Sequence, residues 1–484
     1  MPGVVVHRFG PFELDPSSRQ LFRAQKRVHL SGPQSTILTL FVTNPGVTFS
    51  KERLIDSAWG GMAINENSVE KAVSKLRKVL GDGIGDGACI ETLPHEGYRF
   101  TAPVQQAEQP RAHASLDTHL EPYLKFVQGR TNLDTLDRKA LAEARGEFEA
   151  ALRLAPDYTP ARVGLAMACG LAYEASTADA EQDVASLDRA VACARQASML
   201  TPRSGEAWST FAFVLALKAA REESAAITKQ AAAAAHLAME LEPGDSRHAL
   251  RAAYATWGDE RLRAAQHVLT LRPGLALAHW LRTTVFIARG AFEAAFEEVR
   301  LGCAAQDAQL NNAGLPAVGL HLLHAHLLAV HERLDEAVAA LKRELTWTDS
   351  EHMYARVCAS NTWYVLGAIY LRQRKRAEAE AAFERALTIA PRHVSAAAAL
   401  RGEVPGGPPK GGPYVRDMDV ALARAIVLAR GNRHAEAAHT FRDVLAQRPP
   451  GPAGWILPVE PFLNPLARRD VWSDALTMVR VRAT

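Results

Sequence analysis

The residues best suited to chemistry lie in a short cationic stretch near the start of the chain. A helix is predicted to begin near Asn67 and to end at Leu80. Its apolar residues, spaced four, three and four positions apart, form the stripe of an amphipathic helix: Val69, Val73, Leu76 and Leu80. The opposite face carries Ser68, Lys71, Ser74, Lys75 and Lys78, with Arg77 at its flank. Such side chains contact phosphates and base edges, so this face suits the major groove of DNA.

A charged face that only contacts water is the simpler interpretation of the same pattern. Net charge does not decide between the two, because residues 1–104 carry twelve cations and ten acids, a balance of +2. That balance gives weak electrostatic steering. If the face does bind DNA, we expect modest affinity per copy, and binding as a dimer or to tandem sites.

Strands and helices of one small domain must position this helix. The runs VVVHRF, PFELD, QLFR and RVHL are typical of short strands. One helix is predicted after Ser31 and a second after Ser50, a suitable N-cap residue. GDGIGDGA at 81–88 predicts a turn, and the residues around 94–97 predict a hairpin between two final strands.

The rest of the chain has a different pattern. Residues 105–117 are polar and predict a linker, and from 118 to 484 the sequence is rich in Ala and Leu at helical spacing. Prolines recur shortly after apolar helix ends, at 156, 202, 243, 273, 391 and 449. Intervals of this size predict a solenoid of about eight to ten helix pairs with a continuous concave groove, and a loop at 404–413.

Several functional classes are excluded by composition and motifs. The five cysteines form no CxxC pair, and the longest apolar run, near residues 207–217, falls far short of the ~20 residues that a bilayer requires. We therefore expect a cytoplasmic protein that does not enter a membrane. The sequence has no Walker A, GxSxG or GxGxxG motif, which indicates a protein that is not an enzyme and needs no cofactor. The four histidines at 321–331 lack metal-ligand spacing and predict helix packing, not a metal site.

Residues 9–103 resemble the OmpR/PhoB-type winged-helix DNA-binding domain. The resemblance is carried, in order, by FGPFELDPSSRQLFR, NPGVTFSKERLIDSAW, ENSVEKAVSKLRKVLGD and IETLPHEGYRF. It implies that Lys75 and Arg77 contact DNA from the recognition helix and that Thr92 makes a contact beside the wing. It also places Trp59 just after the second helix, in a loop near RNA polymerase. The DNA-binding set that we expect is Ser68, Lys71, Ser74, Lys75, Arg77, Lys78, Thr92 and Arg99.

The remainder resembles tetratricopeptide repeats. The best unit matches the W-x2-L-G-x2-Y…A-x3-F-x2-A…P pattern of the family at Trp363, Leu366, Gly367, Tyr370, Ala379, Phe383, Ala386 and Pro391. In such a repeat the small residues let two helices approach closely while the aromatic residues fill the gaps. The expected fold is thus an α+β winged helix-turn-helix over 1–104, the linker, and an all-α superhelix over 118–484.

The leading hypothesis is a transcriptional regulator whose winged helix binds promoter DNA and whose repeats bind a protein partner or a small effector. One alternative is a protein scaffold in which the winged helix also docks protein. Another resembles the antibiotic-regulator type of activator, although the array here is much longer than that type's helical domain. A docking surface for protein would carry exposed apolar anchors on the third helix, whereas Lys, Ser and Arg stand there.

Overall fold

A computed structural model describes residues 4–16, 19–24, 26–59, 67–81, 89–94, 96–109, 114–179, 181–308, 316–348, 350–404 and 417–484. The chain divides into two compact units, Met1–Thr118 and His119–Thr484. The first has strands around three helices and the second is helical, so the predicted fold class is confirmed. No helix within the described ranges combines the length and the apolar character that crossing a bilayer demands.

The first unit contains eight strands and three helices among its described residues. In chain order they are β1 Val4–Phe9, β2 Phe12–Asp15, β3 Gln20–Arg23, β4 Lys26–Val28, α1 Gly32–Thr43, β5 Thr48–Phe49, α2 Lys51–Trp59, α3 Asn67–Leu80, β6 Ile90–Leu93, β7 Gly97–Phe100 and β8 Gln105–Gln109. One sheet has the order β4-β3-β2-β1-β8 and the other β5-β7-β6. Neighbouring strands in both sheets are antiparallel.

Local capping fixes where the first two helices begin. Ser31 and Gln34 form a capping box at the start of α1, and the backbone N–H of Arg53 donates to Ser50 Oγ at 3.3 Å at the start of α2. The buried stripe of α1, including Ile37 and Phe41, packs with the first sheet around a core of phenylalanines. The predicted N-cap at Ser50 is therefore present.

The predicted linker at 105–117 is wrong at both ends. Residues 105–109 form β8, which pairs with β1 at one edge of the first sheet, and a helix begins at Ala114. An edge strand needs partners for only one row of its backbone groups and can leave its side chains in water. The polar run QQAEQ therefore has no apolar alternation by which a strand could have been recognised.

Three other expectations concern segment ends. Trp59 is the last residue of α2, not the first of the following loop, because its ring packs partly against the core of the first unit and extends the helix. Nearly all of the turn predicted at 81–88 and of the loop predicted at 404–413 lies outside the described residues, as does the segment 60–66.

The second unit is built from eighteen described α-helices, the first of which, α4, begins within the last residues of the first unit. They are α4 Ala114–Asp134, α5 Arg138–Leu154, α6 Thr159–Ala175, α7 Val184–Leu200, α8 Gly205–Glu222, α9 Ala225–Leu241, α10 Ser246–Ala255, α11 Gly258–Leu271, α12 Ala276–Arg289, α13 Phe292–Ala308, α14 Leu320–Val330, α15 Leu334–Thr348, α16 Ala355–Arg372, α17 Arg376–Ile389, α18 Val394–Arg401, α19 Asp417–Arg430, α20 His434–Ala446 and α21 Arg469–Arg482. The recurrent prolines stand two or three residues after α5, α7, α9, α11, α17 and α20.

The first helices of successive pairs contact one another, so they line a common inner face: α6 with α8, α8 with α10, and so on to α16. The chain itself covers part of that face. Residues 454–463, which we name the return segment, come back after α20 and bury Leu457, Val459 and Leu463 against α12, α14 and α16. Trp455 packs edge-on against Trp280 of α12 with ring centroids 6.1 Å apart.

The expectation of a continuous concave groove is therefore wrong over α12–α16. The return segment carries apolar side chains that the first helices of these pairs bury, and its Glu460 accepts a hydrogen bond from the hydroxyl of Tyr364 on α16. These contacts of the return segment do not involve the part of the inner face that α4, α6, α8 and α10 form.

Candidate nucleic-acid interface

Helix α3 presents its three lysines to solvent, as its periodicity predicted. Val69, Val73, Leu76 and Leu80 are buried on one side. Lys71, Ser74, Lys75 and Lys78 are exposed on the other, while Ser68 and Arg77 are half-buried. Within the described part of the chain there is no ion pair of Lys71, Lys75 or Lys78. All three charges are therefore available to an external anion.

The one acid on this surface is paired with a neighbouring helix. Lys51 Nζ of α2 lies 2.8 Å from Glu70 Oε1. Both side chains are partly exposed to solvent, so the pair adds little to stability. Its effect is electrostatic: the carboxylate of Glu70 is held by α2, and the three lysines dominate the charge of the α3 face.

Arg77 is engaged within the domain. Its Nε and Nη2 donate to the carbonyl oxygen of Ile90 at 3.1 and 2.9 Å, and Nη2 donates to Thr92 Oγ1 at 2.6 Å. The guanidinium carbon also lies 6.0 Å from the ring centre of Tyr98. A planar guanidinium makes several bonds of fixed direction, so Arg77 holds strand β6 against the end of α3. The position of Arg77 at the flank of the cationic face does not indicate, from sequence alone, that its side chain bonds to β6.

Thr92 and Arg99 lie on the hairpin formed by β6 and β7. Thr92 is exposed and its hydroxyl accepts from Arg77, so these two predicted DNA contacts are adjacent in space. Arg99 Nη2 lies 2.6 Å from Glu91 Oε2 across the hairpin. Gly97 begins β7 with φ +126°, and a Cβ there would lie 2.1 Å from the carbonyl oxygen of Phe49, so only glycine lets the hairpin approach β5.

The residues expected to pack the best repeat lie where α16 meets α17. Phe383 is 1% exposed, and a Cβ on Gly367 would lie 2.4 Å from its Cε1. Leu366, Ala379 and Ala386 are buried, Trp363 and Tyr370 are half-buried, and Pro391 follows the end of α17. A similar contact occurs near the start of the array, where Gly129 of the preceding helix α4 and Gly164 of the following helix α6 both pack on Phe148 of α5.

The four histidines at 321–331 bond and pack within the array. His321 Nε2 lies 3.0 Å from Asp307 Oδ1. His326 donates from Nδ1 to the carbonyl oxygen of Leu322, and burial lowers its pKa to about 4, so it is neutral at pH 7. His324 and His331 both pack against the ring of Phe296. Cys303 is 8% exposed, and burial raises the pKa of its thiol to about 12.

Three groups that could ligate a metal come together elsewhere among the described residues. One side-chain atom each of Glu242, Asp245 and His248 lies within 4.8 Å of the others. All three groups make hydrogen bonds within the chain. Glu242 accepts from the N–H of Gly205, Asp245 pairs with Arg247, and His248 bonds Ser209 Oγ through Nδ1 and Glu242 Oε2 through Nε2. These bonds tie α8 to α10.

A buried carboxylate that sequence analysis missed holds the start of α14. Glu344 of α15 is fully buried and accepts from the backbone N–H groups of Gly319, His321 and Leu322 at 2.7, 3.0 and 3.4 Å. The amide of Gln306 donates to it as well, at 3.3 Å. Because the carboxylate comes from the following helix, no local capping pattern in the sequence marks it.

Comparisons with known proteins agree with this geometry. The family model described as "Transcriptional regulatory protein, C terminal" matches residues 25–100, which include α1, α2, α3 and the hairpin. The model described as "Tetratricopeptide repeat" matches residues 360–393, the unit formed by α16 and α17. The resemblances inferred from the sequence are thereby confirmed for these two segments.

Curated relatives match the first unit. Transcriptional regulator HilA of Salmonella typhimurium is 33% identical over 97 residues, which cover 19% of this chain and 17% of that protein. The phosphate regulon transcriptional regulatory protein PhoB of Escherichia coli is 28% identical over 89 residues, 18% of this chain and 38% of its own length. The chain thus spans well under half of either relative.

Among solved structures, the DNA-binding domain of Escherichia coli CadC is 30% identical to this chain, with a TM-score of 0.20. The match covers 98% of that structure and 22% of this chain. The sequence matches and the architecture agree. Residues 25–100 belong to an OmpR/PhoB-type domain of transcriptional regulatory proteins, and this domain is joined to a helical array that contains a tetratricopeptide repeat.

Proposed function

We propose that this chain is a transcriptional regulator that binds double-stranded promoter DNA through α3 and receives its input through the helical array. The observation that carries the proposal is the α3 face, where Lys71, Lys75 and Lys78 project into solvent with no internal ion pair among the described residues. Three unpaired cations at one-turn spacing suit a groove lined by phosphates.

The alternative of a protein-docking winged helix is disfavoured by the same surface. Protein hot spots are rich in buried aromatic and apolar anchors. Val47 is the one large apolar residue of the described first unit with substantial exposure, 45%, and it precedes β5, away from α3 in the sequence. The α3 face therefore offers charge and hydroxyl groups, not an apolar anchor.

The array supplies the regulatory part of the proposal. Stacked helix pairs leave extended surfaces that bind proteins or small effectors, and no catalytic motif accompanies them. We propose a role without enzymatic activity or cofactor, binding to DNA as a dimer, and contact with RNA polymerase near Trp59. The relatives named above are transcriptional regulators, in line with this role.

The decisive experiment removes the α3 charges. The triple variant Lys71→Ala/Lys75→Ala/Lys78→Ala should lose specific DNA binding by ~1–3 kcal/mol for each base contact removed. Each lost phosphate contact should lower the slope of log affinity against log salt by about one. Gel shifts on fragments selected from bound genomic DNA, at several salt concentrations, measure both.

A matched control separates position from net charge. The triple variant Lys139→Ala/Lys229→Ala/Lys342→Ala removes three exposed lysines from the array and should bind DNA as the unmodified chain does. Equal loss in both triple variants would show that only net charge matters, and undiminished binding by the α3 variant would refute the proposal. A chain lacking residues 119–484 that regulates its genes with the full response would refute the role of the array.

A further inference from the structure

A small cleft with five charged side chains lies in the part of the inner face that the return segment leaves uncovered. Helices α4, α6, α8 and α10 form it. Its charged residues are Arg130, Asp134, Glu206, Arg247 and Arg251, and its apolar wall consists of Phe126, Leu133, Val163 and Met167. Charges of both signs from three helices thus meet beside an apolar surface.

Glu206 is only loosely paired. Its Oε1 lies 3.5 Å from Arg130 Nη1 and 3.9 Å from Arg247 Nη1. Charge-assisted hydrogen bonds are shorter, about 2.7–2.9 Å. The stronger partner of Arg247 is Asp245, at 2.8 Å, so Glu206 keeps lone pairs for another donor.

Arg251 also has unused donors. Its Nη1 donates to Ser209 Oγ and to Thr210 Oγ1 at 2.9 and 3.1 Å. Its Nε and Nη2 have no hydrogen-bond partner in the described ranges, and they form the edge of the guanidinium that binds a carboxylate in bidentate fashion.

The electrostatics agree with an incompletely compensated site. Burial lowers the pKa of Arg251 and raises the pKa of Asp134. In each case burial shifts the pKa more than the neighbouring charges do. For Arg251 the shift means that the charged form has lost water without gaining a full set of partners, whereas Asp134 stays exposed to solvent. A ligand carrying both signs of charge would supply those partners.

The size of the cleft limits the ligand. Its volume of ≈ 40 Å³ corresponds to about three water molecules, at roughly 10–15 Å³ for each. The enclosed part of the cleft therefore holds only about three non-hydrogen atoms of a ligand, and the rest of the ligand must extend along the open wall beside Phe126 and Met167.

We propose that this cleft binds a free α-amino acid, with the carboxylate on Arg251 and Arg130, the ammonium on Glu206 and Asp134, and the side chain on the apolar wall. The assignment rests on the proposed function, for which it supplies the class of effector. An acidic peptide is the competing ligand, but it would bring carboxylates close to Glu206 and Asp134 without an ammonium to balance them.

The test is made on the full chain without DNA. Each of the twenty standard L-amino acids is added singly, and binding is measured by calorimetry and by the shift in melting temperature. We expect at least one amino acid to bind with a dissociation constant below about 1 mM, which corresponds to a standard binding free energy of about −4 kcal/mol. Its N-acetyl derivative and its amide, which lack one charge each, should bind at least tenfold more weakly.

Two variants locate the binding. Glu206→Gln and Arg251→Gln should each weaken the amino acid at least tenfold, whereas Arg376→Gln, at an exposed position of α17, should leave its affinity unchanged. Circular dichroism checks folding, and Glu206→Gln at the rim carries the test if the loss of the more buried Arg251 unfolds the array.

Three results would overturn the assignment: no binding by any of the twenty amino acids, equal binding of the N-acetyl derivative, or full affinity in Glu206→Gln. The second would indicate an acidic peptide. Gel shifts with the α3 variants are independent of this measurement. If DNA binding behaves as proposed while no amino acid binds, the assignment of the cleft fails and the proposed function stands. If an amino acid binds while the α3 variants keep full DNA affinity, the proposed function fails and the cleft remains a ligand site.

Discussion

The cations of α3 and the carboxylates of the array differ in where their partners come from. Lys71, Lys75 and Lys78 have no partner among the described residues of their own unit, whereas Glu344 and Glu460 are buried and accept hydrogen bonds from the chain itself. A charge in water can be removed with little effect on folding. A buried charge that holds backbone groups cannot, because its removal leaves those groups unsatisfied.

The difference shows that residue type alone does not distinguish a binding group from a structural one. Arg77 stands between the two cases, since it lies beside the exposed lysines but bonds to Ile90 and Thr92. Arg251 does too, with one terminal nitrogen engaged and the rest of its guanidinium edge unused. What decides the role is the number of donors or acceptors that the fold leaves unsatisfied.

The largest effect on stability that follows from this comparison is at Glu344. Glu344→Ala should lower the free energy of unfolding of the array by about 3–4 kcal/mol, because three backbone N–H groups at the start of α14 and the amide of Gln306 lose their acceptor. Lys75→Ala on α3 should change stability by no more than about 0.5 kcal/mol. Urea unfolding followed by circular dichroism measures both, and similar losses in the two variants would contradict the comparison.

Packing inside the array provides a second test. Gly367→Leu should cost ~1–3 kcal/mol by overpacking, because a Cβ there meets the ring of Phe383, which is buried and has no room to move. DNA binding by the isolated first unit, residues 1–118, cannot be affected, while regulation in cells should be lost.

Gly146 is the control for that substitution. It lies on the exposed side of α5 with no atom within 4 Å of an added Cβ, so Gly146→Ala should raise stability by about 0.5–1 kcal/mol. If Gly367→Leu were as stable as the unmodified chain, the close approach of α16 to α17 would not matter for the repeat.

Much of this arrangement follows from local sequence. The four-three-four spacing of Val69, Val73 and the leucines on α3 predicts which face is buried, and Ser50 predicts the start of α2. The unpredicted features depend on residues far apart in the chain. Glu344 binds backbone 22–25 residues earlier, and the return segment packs on helices about 100–180 residues before it. Strand β8 exists because β1 offers an open edge, which no property of QQAEQ reveals.

The smallest expected effect separates positioning from charge at Arg77. Arg77→Lys keeps the positive charge but cannot reproduce the bonds of the guanidinium to Ile90 and Thr92, so the hairpin should be held less firmly against α3. We expect DNA affinity to fall about three- to tenfold, roughly 1 kcal/mol, with the slope of log affinity against log salt unchanged, because no phosphate contact of the lysines is lost. Thr92→Val, which removes one of the three bonds, should show a smaller loss of the same kind. If Arg77→Lys binds like the unmodified chain while Arg77→Ala lowers the salt slope by one, Arg77 acts as a phosphate contact and not as the residue that positions the hairpin.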